Sequence, residues 1–367
     1  MNSTVVEISL SALRQNLRQV VRRVGTVSII AVVKANAYGH GVVPVARTLL
    51  MAGAHQLGVA TVAEGQELRD AGITAPILVM GGLFPEDMSL LQELNLTPVL
   101  PSRDALLMAA RLAAPRSAPL PVHLKVDTGM NRLGLTREEF LEILRSTWPP
   151  TLRLEGLMSH LAAADASDAA SVEDQLARFR QLLDAAKATG LVVPAAHIAN
   201  SAAILRFPAS YFDCVRPGLM LYGYVNGPTA AADLRPALSW KTRIMQVKRV
   251  GAGQPVSYGG TFVTSRPSTL AILPVGYADG YSCALSNRGC VLVGGRAVPI
   301  VGRICMDLTV IDVSVLPEVR PGDEAVLLGR QGAAAITADD LAVWQDTISY
   351  EVLCQISPRL PRVYRED

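Results

Sequence analysis

Along the first two-thirds of the chain, short β-branched apolar runs alternate with longer stretches whose apolar residues recur every three or four positions. The runs Val27–Val33, Leu57–Ala60, Ile77–Met80, Thr97–Leu100, Val122–Val126, Leu154–Met158, Ala196–Ala199 and Phe212–Val215 predict strands. The segments Ala105–Ala113, Arg137–Ser146 and Val172–Thr189 between them are long enough for helices. Ahead of all these, Ser11–Val24 carries Leu13, Leu17, Val20 and Val21 at helical spacing. Eight strands alternating with helices predict an α/β fold built on an N-terminal (β/α)8 TIM-type barrel. A doubly wound parallel sheet is the competing arrangement, and the strand count favours the barrel.

Near residue 230 the pattern changes. Gly227, Pro228 and the alanine-rich Thr229–Asp233 have the look of a connection. Beyond it, Arg243–Val250, Thr269–Pro274, Gly289–Val293, Ala297–Val301, Leu308–Val313 and Glu324–Leu328 predict strands. Gly294-Gly295 suits a tight hairpin turn, and a short helix over Ala338–Thr347 follows Thr337 as N-cap. The expected division is a barrel over residues 1–230 and a mainly-β C-terminal domain over 231–367.

Composition narrows the function. Half of the 367 residues are apolar and 18% are charged, enough for a sizeable core. A net charge of +2 without a basic run gives no nucleic-acid footprint. No apolar stretch reaches membrane-spanning length, and the first ten residues lack the features of a signal peptide, so a cytoplasmic location is expected. The five cysteines and five histidines are dispersed along the sequence, which argues against a disulfide framework and a metal site.

Candidate chemistry begins at Lys34. An apolar strand runs into this lysine and is followed at once by a turn rich in glycine and asparagine. Catalytic groups of parallel barrels gather at that end of the strands, where desolvation would lower the amine's pKa and favour imine formation. Arg132, His160, Ser201 and Arg216 fall just past the fifth to eighth candidate strands, on the same rim as Lys34.

The run Ala31-Val-Val-Lys34-Ala-Asn-Ala-Tyr38-Gly-His-Gly41 resembles the cofactor-lysine signature of the alanine racemase family, fold-type III enzymes dependent on pyridoxal 5'-phosphate. Further matches follow in the family's order. They are Val126-Asp-Thr-Gly-Met-Asn-Arg132-Leu-Gly134, Met158-Ser-His160-Leu161, His197-Ile-Ala-Asn-Ser201-Ala-Ala203 and Val215-Arg216-Pro-Gly218. Pro274-Val-Gly-Tyr277-Ala-Asp-Gly280, Val301-Gly-Arg303-Ile-Cys-Met306-Asp307 and Ser349-Tyr350-Glu-Val352 complete a set that spans nearly the whole chain.

The resemblance implies interconversion of L- and D-alanine by a two-base mechanism, with D-alanine supplied to peptidoglycan. It implies a homodimer with shared active sites, each completed by the C-terminal domain of the other subunit. Lys34 carries the cofactor as a Schiff base and takes the proton from D-alanine; Tyr277, from the second subunit, takes it from L-alanine. A tyrosine near its unperturbed pKa is a poor base, so cationic neighbours are expected, with His160 and Arg216 as candidates. Tyr38, Ser201, Gly218, Leu219 and Tyr350 resemble the phosphate-binding set. For Ser201 an ordinary helix N-cap is a compatible reading.

Arg216 resembles the residue that faces the pyridine nitrogen, with His197 hydrogen-bonded behind it, and His160 is taken with the cofactor residues. A guanidinium cannot accept a proton, so it keeps that nitrogen unprotonated and weakens the electron sink. Arg132 and the backbone N–H of Met306 match the contacts of the substrate carboxylate. Lys125 either is carbamylated, as in some relatives, or pairs with Asp127 or another nearby acid. Asp165 and Arg303 match positions lining the entrance corridor. Alternatives are a serine-preferring or broad-specificity racemase on the same scaffold, and a non-catalytic pyridoxal-phosphate carrier, against which the second domain argues.

Overall fold

The computed structural model describes residues 3–113, 118–227 and 233–366. The chain opens with β1 (Val5–Ser9) and α1 (Leu10–Val24). Helix α1 buries Leu13, Leu17 and Val20 completely, whereas Val21 stays 38% exposed and lies off the face the spacing assigned it.

One compact unit comprises Leu13–Ala37 and Val42–Arg235. Its strands are β2 (Ser28–Val32), β3 (Gln56–Val59), β4 (Ile77–Val79), β5 (Thr97–Leu100), β6 (Leu120–Lys125), β7 (Leu152–Met158), β8 (Ala196–His197) and β9 (Cys214–Val215). Helices α2 (Val42–Met51), α3 (Val62–Asp70), α4 (Met88–Glu93), α5 (Arg103–Leu112), α6 (Arg137–Arg145), α7 (Ala170–Ala188) and α8 (Ser201–Arg206) lie between them in sequence. All strand pairs are parallel, in the order β8-β7-β6-β5-β4-β3-β2-β9. Every residue of β4 and β5 is buried, which is why these strands read as unbroken apolar runs. Threonine caps fix the helix starts: Thr61 and Thr136 form reciprocal capping boxes with Glu64 and Glu139.

The eight strands make a nearly closed barrel. At the seam, β8 and β9 meet through two backbone bonds, Asp213 N to Ala196 O at 3.0 Å and Arg216 N to Ala199 O at 2.9 Å. Asp213 Oδ2 accepts a third, from Ala196 N at 2.8 Å. Both strands are shorter than their apolar runs because a side chain replaces part of the ladder and Phe212 adopts φ 45°.

The other unit comprises Met1–Ala12, Tyr38–Gly41 and Pro236–Asp367. It contains β10 (Leu238–Arg243), β11 (Gln246–Val250), β12 (Pro255–Val256), β13 (Phe262–Val263), β14 (Ser268–Leu273), β15 (Cys290–Val293) and β16 (Arg296–Pro299). Strands β17 (Thr309–Asp312), β18 (Glu324–Gln331), β19 (Ala334–Ile336) and β20 (Arg362–Arg365) follow, with α9 (Ala338–Gln345) and α10 (Ser349–Gln355) before the last. One sheet runs β16-β15-β18-β10-β1-β20 with β19 on β18; another runs β11-β14-β17; β12 and β13 form a separate pair.

Two sequence expectations change here. The single strand over Arg243–Val250 is two, β10 and β11, in different sheets. Ile244 N bonds Asp323 O while Met245 N bonds Ile272 O, so the chain changes partners between them. The N-terminal strand β1, which the sequence reading assigned no role, pairs with β10 and β20, burying Val6 and Ile8. The connection expected at Gly227–Asp233 lies, over residues 228–232, outside the described residues. Gly294 and Gly295 turn the β15–β16 hairpin with φ of 58° and 76°. Among the described residues no helix is long and apolar enough to cross a membrane.

Candidate active site

Lys34 follows β2 by two residues, and the backbone after it is unusual. Ala35, Asn36, Ala37 and Tyr38 all have φ of 52–53°, a full turn in the left-handed region. For L-residues this costs about 1 kcal/mol or more per position. Specific bonds hold it. Ala37 N donates to Val33 O at 2.9 Å, Val42 N to Asn36 Oδ1 at 2.8 Å and Ala35 N to Glu64 Oε1 at 2.7 Å. Glu64 Oε2 accepts Ala60 N at 2.7 Å, so one carboxylate both caps α3 and anchors the residue after Lys34. Lys34 itself is exposed. The barrel strand therefore does not bury the Lys34 side chain.

Arg216 leaves β9 at the seam and is 3% exposed. Its Nη2 donates to Ser159 O at 2.7 Å and Ile198 O at 3.2 Å, and lies 3.2 Å from His160 Nδ1. Its Nη1 donates to His197 Nδ1 at 2.6 Å. Behind His197, His123 Nδ1 lies 2.8 Å from His197 Nε2. Three histidines dispersed in sequence thus meet around one guanidinium, since β6, β7 and β8 are neighbours. Burial, reinforced by Arg216, holds His160 and His197 well below the usual histidine range and pushes His123 down to about 4. His160 is consequently neutral, and Arg216 is the cation of this cluster. Burial lowers the guanidinium only to about 10.

Lys125 ends β6 at 5% exposure, pushed down to about 8 by burial and by the charges of Arg132 and Arg216. Asp127, which the sequence offered as its ion-pair partner, turns its carboxylate to its own loop. It accepts Gly129 N at 2.7 Å, Met130 N at 2.9 Å and Arg132 N at 3.2 Å. This loop presents Arg132 as an exposed side chain. Beneath it Thr128 Oγ1 and Ser159 Oγ are 2.8 Å apart, and Gln175 Nε2 donates to Thr128 Oγ1 and His160 O.

Ser201 is the first residue of α8 rather than its cap. Asn200 is the N-cap, accepting Ala203 N at 3.1 Å. Ser201 Oγ instead accepts Gly218 N at 2.9 Å and Met220 N at 3.3 Å. With both lone pairs engaged, its O–H remains for an external anion. Leu219 is fully buried beside Gly218, and Asp165 is exposed in the loop after β7.

In the C-terminal unit, Tyr277 N donates to Cys305 O and Ala278 N to Met306 O, both at 3.0 Å, so the turns carrying Tyr277 and Met306 are joined. A Cβ on Gly276 would come within 2.2 Å of Cys305 O, which makes glycine obligatory for that approach. Tyr277 is 46% and Met306 54% exposed. Arg359 bridges the same turns, with Nε to Asp279 Oδ1 and Nη2 to Asp307 Oδ1 both at 2.7 Å. Tyr38 packs on Tyr350 with ring centroids 5.8 Å apart. Arg303 is exposed, its carbonyl accepting Ser257 Oγ at 2.6 Å.

Two residues of this arrangement escaped the sequence reading. Glu64 was detectable only as half of a capping box, and His123 as a histidine two positions before Lys125 on an otherwise apolar strand.

The rim therefore offers an exposed amine, a buried guanidinium braced by neutral histidines, a second buried amine and a hydroxyl with a free O–H. That donor set defines a barrel enzyme that handles anionic, carbonyl-derived groups, and it fits a phosphorylated ring cofactor. Residues 8–226 match the family described as alanine racemase, N-terminal domain, and residues 237–364 the alanine racemase C-terminal domain. The chain is 47% identical to the alanine racemase of Halothermothrix orenii over 366 residues, covering 99% of this chain and 97% of that one. It superposes on the alanine racemase of D-cycloserine-producing Streptomyces lavendulae with TM-score 0.94 at 38% identity, covering 100% and 97% of the two chains. The enzyme of Bartonella henselae, solved with covalently bound pyridoxal phosphate, gives TM-score 0.92 at 30% identity with 100% of both chains covered. The chain belongs to the alanine racemase family, whose members depend on pyridoxal phosphate.

Proposed function

We infer that this protein interconverts L- and D-alanine with pyridoxal 5'-phosphate as cofactor, the D-alanine serving peptidoglycan synthesis. The observation that carries this reading is Arg216, a buried cation with no capacity to accept a proton, braced by a neutral His197 at 2.6 Å. When bound, the cofactor supplies an electron sink for the carbanion left on the alanine Cα. Arg216, held against the ring nitrogen, would moderate that sink, which suits proton return to Cα.

Lys34 is the proposed cofactor anchor and the base for D-alanine; Tyr277 of a second subunit is the proposed base for L-alanine. The Ser201 hydroxyl and the backbone of Gly218 and Leu219, with Tyr38 and Tyr350, are the proposed phosphate contacts. Arg132 and the Met306 N–H are assigned to the substrate carboxylate. Carbamylation of Lys125 is supported by its lowered pKa of about 8, which leaves more neutral amine to react with carbon dioxide, and by the surplus of cations around it. An anion there would position Arg132. Asp165 and Arg303 are proposed to line the entrance.

We keep the domain boundary at residues 230/231, a homodimeric assembly and a cytoplasmic location as parts of the same reading. The exposure of Tyr277 and Met306 supports the dimer, since a base in open water gains nothing from its surroundings. The test is Cα-proton exchange from L-alanine in deuterated water. Wild-type holoenzyme is expected to exchange and racemise, and Tyr277→Phe to lose both from the L side. Purified holoenzyme that exchanges no proton would sink the reading.

A further inference from the structure

His123 is a buried group that the reading above leaves without a task. It lies on β6 at 4% exposure, two residues before Lys125 and on the same face of the strand. The fold makes room for it in two ways. The register between β6 and β7 shifts at this point, so that Val122 pairs with Leu154 but His123 with Gly156, leaving Glu155 as a bulge. Bulges of this kind re-aim side chains. The residue opposite is glycine, and a Cβ there would sit 2.5 Å from both Nδ1 and Cε1 of the His123 ring.

The direction of each hydrogen bond in the chain follows from Arg216. A guanidinium only donates, so His197 Nδ1, 2.6 Å from Arg216 Nη1, accepts. A neutral His197 then carries its single proton on Nε2 and donates it to His123 Nδ1 at 2.8 Å. His123 must accept at Nδ1 and keep its own proton on Nε2. Burial and the nearby Arg216 charge keep both rings neutral. Without an acceptor at His123, the Arg216 contact alone holds the His197 proton on Nε2, where it would be buried without a partner. Moved to Nδ1, it would set N–H against N–H at Arg216.

We propose that His123 is a positioning residue for the racemase: by accepting the His197 Nε2 proton it fixes the tautomer that seats the Arg216 guanidinium at the barrel seam. The effect on turnover rests on Arg216 facing the cofactor ring, whereas the hydrogen-bond chain stands independently of it.

The test is nitrogen NMR on holoenzyme labelled at histidine, joined to kinetics of variants. In wild type both His197 and His123 are expected to show a protonated Nε2 and an unprotonated Nδ1 from pH 6 to 9. In His123→Leu the His197 signals should show both tautomers. kcat should fall about tenfold, the scale of one buried hydrogen bond, with KM changed less than about twofold. His123→Asn, whose Oδ1 replaces the accepting Nδ1, should restore the single tautomer and most of kcat. Gly156→Ala pushes the ring away without removing it and should act in the same direction, so the proposal stays testable if the leucine variant fails to fold. A protonated His123 Nδ1 in wild type overturns the proposal, as does a His123→Leu enzyme with unchanged His197 tautomer and kcat. Arg216→Gln separates the two layers. If it leaves the pH titration of the bound cofactor's absorbance unchanged, the reading of Arg216 fails while the tautomer result stands.

Discussion

In the barrel, Arg216, His197 and Lys125 are no more than 5% exposed; the Ser159 and Ile198 carbonyls accept from Arg216, and His123 Nδ1 lies 2.8 Å from His197 Nε2. In the C-terminal unit, Tyr277 and Met306 are about half exposed on turns joined mainly by backbone bonds and Arg359. The first cluster is finished within one chain: burial sets its protonation states and its geometry. The second has its geometry but not its environment. In the proposed dimer, a surface of the second subunit would cover the tyrosine and let burial and charge act on it. The contrast separates residues whose surroundings lie within one chain from those that the proposed dimer would complete.

The largest expected effect tests the anchor. Lys34→Ala should reduce racemisation by about 10^3-fold or more, as expected for removal of both a covalent anchor and a base. Because Lys34 is exposed, the melting temperature should barely move. Borohydride reduction followed by peptide mapping should label Lys34 in wild type and nothing in the variant.

Next, Tyr277→Phe should lower turnover by about 10^2- to 10^4-fold without loss of stability. The informative experiment is the mixture. In a symmetric dimer with shared sites, Lys34→Ala and Tyr277→Phe subunits reassorted at random should recover about a quarter of wild-type activity. No recovery under conditions of proven subunit exchange would count against a Tyr277 that works in the other subunit.

The buried cluster should reveal itself in pH dependence. His123, His160 and His197 have pKa values below those of the unfolded chain, so the unfolded state binds protons first as pH falls. Stability should be full above about pH 6.5 and decline below it. For His123, with a folded value of about 4, the loss approaches about 3 kcal/mol at pH 4. His197 and His160 act in the same direction. Thermal melts across pH 4–8 check this; a flat profile would mean the histidines bind protons in the fold as they do in the unfolded chain.

The smallest effect concerns the link from α3 to the lysine turn. Glu64→Gln keeps the size but weakens the bonds to Ala35 N and Ala60 N, at an expected cost of about 1–2 kcal/mol. A lowered kcat with unchanged KM would mark it as positioning Lys34. An enzyme that is merely less stable would limit it to capping.

Much of the barrel was legible because parallel strands buried on both faces leave unbroken apolar runs, as at Ile77–Val79 and Thr97–Leu100. Strand β1 was not, because its meaning comes from pairing with residues as distant as Lys241 and Arg365. The motifs pointed to the rim residues, but the protonation of His160 and the exposure of Lys34 depend on packing that no motif records. His123 was hidden for a related reason: only the strand order β8-β7-β6 and the bulge at Glu155, which sets Gly156 opposite it, bring it to His197. The left-handed turn at Ala35–Tyr38 likewise shows no signature beyond Asn36 and the glycine that follows.

That turn has a consequence for chemical synthesis. At φ of 53°, Ala35 and Ala37 occupy the conformation that a residue of opposite handedness prefers. Installing D-alanine at both positions by ligation of a synthetic N-terminal segment should relieve about 1 kcal/mol at each, with only the two methyl groups exchanging places with their Hα atoms. The product of the proposed reaction would then fit the backbone beside the proposed anchor better than the building block the ribosome can supply.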